Sequence, residues 1–219
     1  MSALAQRLER FPFVAILRGV HPDEVEAIGQ VLIDEGFEII EVPLNSPSPL
    51  ESIRRLAVSF GERALVGAGT VLNPEVVADI ASAGGRLVVM PSAEREVVVE
   101  AKRLGLLAVP GYATPTEAFA MLRAGADALK LFPAEGSSPE VLGALRAVLP
   151  PHTLVLPVGG MSATNWQPWR RAGAAGFGIG SALYKPGMRV EEVRARAREF
   201  ARVHQRFLSD LESAGRESL

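Results

Sequence analysis

Apolar residues in this chain gather into eight short runs rich in Val, Ile and Leu, separated by longer amphipathic stretches. The runs are Val14 to Leu17, Glu38 to Val42, Ala64 to Val66, Leu87 to Met90, Leu106 to Val109, Ala128 to Leu131, Leu154 to Leu156 and Gly176 to Ile179. They are too short for helices and lack polar alternation, a pattern that predicts strands buried on both faces of a parallel sheet. The stretches between them carry helix punctuation. Gly36, Gly84, Gly105, Gly125 and Gly173 follow the amphipathic segments and predict left-handed helix stops. Ser48-Pro49, Asn73-Pro74, Thr114-Pro115 and Ser138-Pro139 place a side-chain oxygen ahead of a proline whose missing N–H costs nothing in the first turn. Ser48 with Glu51, and Thr114 with Glu117, also have capping-box spacing, and His21-Pro22 is a weaker start of the same kind.

Eight strands alternating with helices predict an α/β chain folded as a single (β/α)8 barrel domain, residues 1–219, with a short N-terminal helix. Val190 to Leu208 predicts a closing amphipathic helix. Its arginines are interleaved with Glu191, Glu192 and Glu199 and read as a solvated face, and the residues toward Leu219 are expected to fray. An open doubly wound sheet shares the rhythm, but no Gly-x-Gly-x-x-Gly follows the first run.

Composition narrows the chemistry. A net charge of −2 gives no footprint for nucleic acid, and the absence of cysteine excludes disulfides and thiolate chemistry. No signal-peptide core or bilayer-length apolar stretch is present, so no membrane partner and a cytoplasmic location are expected. The three histidines, His21, His152 and His204, are scattered, so no metal is expected. Only Lys102, Lys130 and Lys185 are lysines, which leaves an amine-based mechanism three candidates.

Reactive groups of a barrel project from strand C-terminal ends and the loops after them. Lys130 interrupts the sixth run, in Ala128-Leu129-Lys130-Leu131-Phe132-Pro133, where apolar neighbours would disfavour its ammonium form and free the lone pair for attack on a ketone. A salt-bridged lysine at the barrel mouth is the competing reading. Lys102 and Lys185 fall in a helix and a Pro-Gly turn and read as surface residues. Glu41 interrupts the second run in the same manner, as a general acid/base, as a structural partner of Lys130 or Arg18, or as both. Arg18, after the first run, offers a planar fork to a carboxylate, or is a surface arginine. Glycines 159 and 160 after the seventh run, with Gly180 and Ser181 after the eighth, let backbone N–H groups approach a phosphate. Gly67-Ala68-Gly69-Thr70 reads as a tight turn presenting Thr70, and Pro91 follows the fourth run.

Five strings together closely resemble the family of 2-keto-3-deoxy-6-phosphogluconate and 2-keto-3-deoxy-6-phosphogalactonate aldolases, over about Phe13 to Gly187. They are Ala15-Ile16-Leu17-Arg18-Gly19, Ile40-Glu41-Val42-Pro43-Leu44-Asn45-Ser46, Val66-Gly67-Ala68-Gly69-Thr70-Val71, Leu129-Lys130-Leu131-Phe132-Pro133-Ala134 and Val158-Gly159-Gly160. The resemblance implies a class I aldolase, usually a homotrimer, that needs no cofactor and cleaves a phosphorylated keto-deoxy sugar acid to pyruvate and D-glyceraldehyde 3-phosphate. It implies that Lys130 forms the Schiff base, Glu41 is the acid/base, and Arg18 and Thr70 hold the pyruvate carboxylate. Pro91 and Phe132 would line the pyruvate pocket, and Gly159, Gly160, Gly180 and Ser181 would hold the phosphate.

Val158 and the string Pro43-Leu44-Asn45-Ser46 resemble the galactonate type, where the gluconate type commonly has threonine in place of Val158; Ser92 and Tyr112 depart from the galactonate pattern. Cleavage of the gluconate epimer is the alternative. A phosphosugar isomerase or epimerase on the same scaffold, and a non-catalytic phosphosugar-binding barrel, are the rivals from other classes.

Overall fold

A computed structural model describes residues 2–217 of the chain. Each expected run overlaps a strand: β1 (Phe13–Ile16), β2 (Ile39–Pro43), β3 (Leu65–Gly69), β4 (Leu87–Val89), β5 (Leu107–Val109), β7 (Leu129–Leu131), β8 (Val155–Pro157) and β9 (Phe177–Ile179), with β3 running three residues past its run. One further strand, β6 (Gly111–Tyr112), has no counterpart in the sequence reading. Pro110 has no N–H to give to the ladder, so the segment breaks there and its pairing passes from β4 to β7.

All pairings are parallel, in a six-stranded sheet ordered β5-β4-β3-β2-β1-β9 and a three-stranded sheet ordered β6-β7-β8. The sheets also bond to one another at their edges. Asp127 N–H donates to Ala108 O at 2.9 Å and Ala175 N–H to Val155 O at 2.8 Å, and Val158 and Gly178 form a parallel bridge. Nine α-helices accompany the strands among the described residues: α1 (Ala3–Arg10), α2 (Val25–Asp34), α3 (Pro49–Phe60), α4 (Val77–Ser82), α5 (Arg95–Arg103), α6 (Pro115–Ala124), α7 (Pro139–Arg146), α8 (Trp166–Arg171) and α9 (Val190–Glu217).

Strand periodicity sorts the apolar runs into two cores. Phe13, Ala15, Ile40, Val42, Val66, Ala68, Val88, Leu129, Leu131, Phe177 and Ile179 pack with helical side chains such as Ile28, Leu32 and Phe200. The alternate positions Val14, Ile39, Leu65, Leu87, Val89, Val109 and Leu156 pack with one another and with Leu4 and Leu8 of α1. Residues two apart share a sheet face, so Ile16, Glu41, Lys130 and Val158 belong to this second, inner face. The two polar interruptions of the runs therefore point to the same side.

Helix ends follow the punctuation unevenly. Gly36, Gly84, Gly105, Gly125 and Gly173 all have positive φ, and Thr114 with Glu117 forms a full capping box. Ser138 also caps, accepting from Val141 N–H at 3.4 Å. The expected box of Ser48 with Glu51 does not form: Ser48 sits at φ 40° and makes no side-chain cap. Glu51 is instead engaged by the guanidinium groups of Arg54 and Arg55. Asn73-Pro74 opens a short 3-10 turn without a side-chain cap, and after His21-Pro22 the helix begins only at Val25, with Glu24 accepting from His21 N–H at 3.0 Å. The closing helix runs to Glu217, past the expected end at Leu208, so the residues expected to fray are helical as far as Glu217; the last two lie outside the described residues.

Capping geometry makes the two helix starts respond differently to substitution. Thr114→Ala should cost about 1 kcal/mol, while Ser48→Gly should stabilise by up to about 1 kcal/mol because glycine adopts positive φ without strain. Urea unfolding midpoints at one protein concentration measure both, and equal losses in the two variants would contradict the cap assignment.

Candidate active site

Glu41 and Lys130 are both buried, at 2% and 5% exposure, on β2 and β7. They line one internal cavity whose remaining wall is apolar, including Leu4, Ile16, Ile39, Val109, Leu156 and Val158. Burial is the main influence on both groups, and it favours the neutral form of each. The Glu41 carboxyl is held above its usual range by burial, opposed by the charges of Lys130 and Arg18. The Lys130 amine is held below its usual range by burial, opposed by Glu41 and reinforced by Arg18. The two proton affinities thus move toward each other, which lowers the cost of passing a proton between a carboxylate and an ammonium in this interior. Glu41 Oε2 is buried without a hydrogen-bond partner among the described residues, and Lys130 Nζ stands 4.7 Å from the centre of the Phe132 ring.

Space for the Glu41 carboxylate is made by β3. A Cβ added to Gly69 would fall 1.8 Å from Glu41 Oε2, and one on Gly67 would fall 2.0 Å from Leu87 O. The string Gly67-Ala68-Gly69 is therefore strand rather than the expected tight turn. Its glycines serve close approach, and only Thr70, at φ 56°, bends the chain. This role was hidden in the sequence because a glycine's neighbour across a sheet is set by register, here Glu41 opposite Gly67.

Arg18 follows the C-terminal end of β1 and is held from two sides. Its Nη1 donates to Asn45 Oδ1 at 2.6 Å and to Thr70 Oγ1 at 3.4 Å. Gly19 N–H donates to the buried Ser46 Oγ at 2.9 Å, tying the loop after β1 to the loop after β2. Asn45 thus orients the guanidinium. Its residue type gave no hint of this beyond its place in the string Pro43-Leu44-Asn45-Ser46.

A second, more open pocket of about 370 Å³ lies beside the first, lined by Arg18, Phe132, Glu135, Gly159, Gly160, Ser162, Gly180 and Ser181 among others. Its volume falls in the range of small-molecule sites. Ile16, Val158 and Gly178 line both spaces, so the glycine loops after β8 and β9 open onto the cavity that holds Lys130 and Glu41. The structure accordingly brings together Lys130, Glu41, Arg18, Phe132, Val158, Gly159, Gly160, Gly180 and Ser181, with Thr70 joined through Arg18. Pro91 lies apart from the lining of both spaces, just past β4, where its carbonyl oxygen is 2.3 Å from the Cβ position of Gly111. Lys102 is ion-paired with Asp127 at 2.7 Å, and Lys185 is exposed. Among the described residues, no cluster of three or more His, Cys, Asp or Glu side chains could hold a metal ion, and no helix is long and apolar enough to cross a membrane.

The model of the family "KDPG and KHG aldolase" matches residues 4–199. The chain belongs to that aldolase family. It is 44% identical, over 90% of its own length and 96% of the relative's, to 2-dehydro-3-deoxy-6-phosphogalactonate aldolase of Escherichia coli strain K12. Identity falls to 29%, over 72% of this chain and 74% of the relative, for the KHG/KDPG aldolase of the same organism. A solved structure described as native KDPGal superposes with a TM-score of 0.89 at 44% identity, covering 91% of this chain and 97% of that one. The family resemblance read from the five sequence strings stands.

Two predictions follow from the buried pair of this aldolase-family site. Gly69→Ala should displace the Glu41 carboxylate and lower turnover by about 10²-fold or more while leaving the far-ultraviolet circular dichroism unchanged; full activity would contradict the role given to Gly69. A raised Glu41 pKa means that the folded chain holds a proton the unfolded chain has lost, so this group's stabilising contribution falls as pH rises from 4.5 through the folded value. Lys130 acts in the opposite sense: its lowered pKa makes stability rise with pH from the folded value up to 10.5. Glu41→Gln should therefore flatten the decline in urea midpoint above pH 4.5, and a slope identical to the wild type would show that Glu41 ionises in the folded chain as it does in water.

Proposed function

We propose that this chain is a Schiff-base aldolase that cleaves 2-dehydro-3-deoxy-6-phosphogalactonate to pyruvate and D-glyceraldehyde 3-phosphate. The observation that carries the proposal is a lysine whose burial favours the free amine, sharing one cavity with a carboxyl group whose burial raises its proton affinity.

Neutral Lys130 attacks the substrate's C2 ketone to give a carbinolamine, and loss of water leaves an iminium. Glu41, as carboxylate, takes the proton of the C4 hydroxyl. The C3–C4 bond breaks, its electron pair passes into the iminium to form an enamine, and the aldehyde departs. Protonation of the enamine at C3 and hydrolysis of the resulting imine release pyruvate and return Lys130. Every step uses an amine, a carboxylic acid and water, so the reaction drawn needs no metal or cofactor. Arg18, oriented by Asn45 and Thr70, holds the substrate carboxylate, and Phe132 borders the pyruvate portion, whereas Pro91, which lines neither space, takes no part. The loops at Gly159, Gly160, Gly180 and Ser181 receive the phosphate.

The galactonate epimer is favoured by the higher identity to the galactonate-type relative and by Val158, which is 8% exposed and gives no hydroxyl to the cavity wall. We further propose that the two sheets form one closed eight-stranded barrel, a single domain over the described residues, supported by the backbone bonds joining the sheets at both edges. For the homotrimer that the family resemblance implies, an apolar groove between β6, the start of α6 and α7 offers an interface. Val141 and Val148 are 57% and 62% exposed there, and Tyr112 Oη and Ser137 Oγ are buried without partners among the described residues.

Borohydride reduction in the presence of pyruvate should fix a pyruvate-derived adduct on the peptide containing Lys130, and Lys130→Met should abolish both adduct and cleavage. Cleavage without any adduct would favour a non-covalent route, and neither adduct nor cleavage would favour the isomerase or epimerase. Val158→Thr should raise turnover of the gluconate epimer relative to the galactonate epimer; an unchanged ratio in a pyruvate-release assay would remove Val158 from the account of specificity.

A further inference from the structure

We infer that Asn165 is a positioning residue that holds the Gly159–Ser162 loop in the shape that receives the substrate's phosphate; the inference rests on the aldolase reading above and deepens its anion subsite. Asn165 immediately precedes α8, the place where an asparagine ordinarily caps a helix by accepting from the first-turn N–H groups. Here it makes no side-chain cap bond to its helix. Both ends of the amide turn back to the loop: Oδ1 accepts from Ser162 N–H at 2.9 Å, and Nδ2 donates to Gly160 O at 2.8 Å. One donor and one acceptor in the loop fix which end of the amide faces which group.

The other side of the loop is closed by Glu135, on the 3-10 turn Ala134–Gly136 after β7. A Cβ on Gly159 would fall 2.1 Å from Glu135 Oε2, and one on Gly160 would fall 2.9 Å from Glu135 Cγ. Both glycines have positive φ, 109° and 62°. The loop therefore runs as bare backbone between the Glu135 side chain and the Asn165 amide. Glycines at positive φ are conformationally loose on their own, so the two Asn165 bonds supply the rigidity that an anion-binding backbone needs. The same loop residues line the pocket that Arg18 and Ser181 share, which puts the clamp behind the phosphate end of the site and away from Lys130.

The clamp acts on one end of the substrate only, and the test exploits this. Condensation of pyruvate with D-glyceraldehyde 3-phosphate and with unphosphorylated D-glyceraldehyde is measured for the full-length wild type, Asn165→Ala and Asn165→Ser, together with the rate of borohydride-trapped imine formation from pyruvate alone. Asn165→Ala should lower kcat/KM for the phosphorylated acceptor by about tenfold, chiefly through KM, corresponding to roughly 1.4 kcal/mol, leaving the unphosphorylated acceptor and imine trapping within about twofold. Asn165→Ser, which can still cap α8, should lose as much as alanine. Recovery by serine would assign the residue to the helix start and overturn the proposal, as would equal losses for both acceptors or no loss for either. Failure of the wild type to trap pyruvate at all would instead refute the aldolase reading, so the two failures are distinguishable.

Discussion

The site depends on two ionisable groups of opposite kind taken out of water together on the inner face of the sheet. Alone, either the Glu41 carboxylate or the Lys130 ammonium would carry the full desolvation penalty of a buried charge. Together they offer each other a counter-charge or a proton. Burial that would merely destabilise a structural ion pair becomes useful where the chemistry needs a free amine and a carboxyl group able to accept and return a proton. The surrounding construction serves this pair. Gly69 leaves room for the carboxylate, α1 places Leu4 and Leu8 against the inner core, and the Phe132 ring lies beside the Lys130 amine.

Around the pair, polar groups are arranged by neighbours that never need to touch the reacting atoms. Arg18 stands on an exposed loop, yet Asn45 and Thr70 fix its guanidinium, and Ser46 ties the same loop to the end of β2. The glycine loop after β8 is held in the same way by Asn165. The strands carry Glu41 and Lys130, while Arg18 and the glycines after β8 sit on loops braced by amides and hydroxyls. Loops of this kind can vary in what they bind while the buried pair stays in place.

Much of this was legible in the chain. A lysine and a glutamate interrupting runs of Val, Ile and Leu mark themselves, because a polar residue in a doubly buried strand needs a reason. The five helix-stopping glycines were equally plain, since each follows an amphipathic segment and each adopts positive φ. What remained hidden depends on register and on distant partners. Gly69 looked like part of a turn until β3 was set beside β2; Ser48 had capping-box spacing, but Arg54 and Arg55 claim Glu51. The strand Gly111–Tyr112 is too short to leave a pattern, and Asn165 looks like any helix-capping asparagine until its amide is seen to face the loop.

The central claim is that the Lys130 amine loses its proton more readily than an ordinary lysine, and three lysines in the whole sequence make this directly observable. Nuclear magnetic resonance of protein labelled with carbon-13 at lysine Cε, with Lys130→Met identifying one resonance by its loss, follows that amine through a pH titration. The Lys130 midpoint should lie below 10.5 and move further down in Glu41→Gln, where the opposing carboxylate charge is gone. A Lys130 midpoint at or above 10.5 would contradict it.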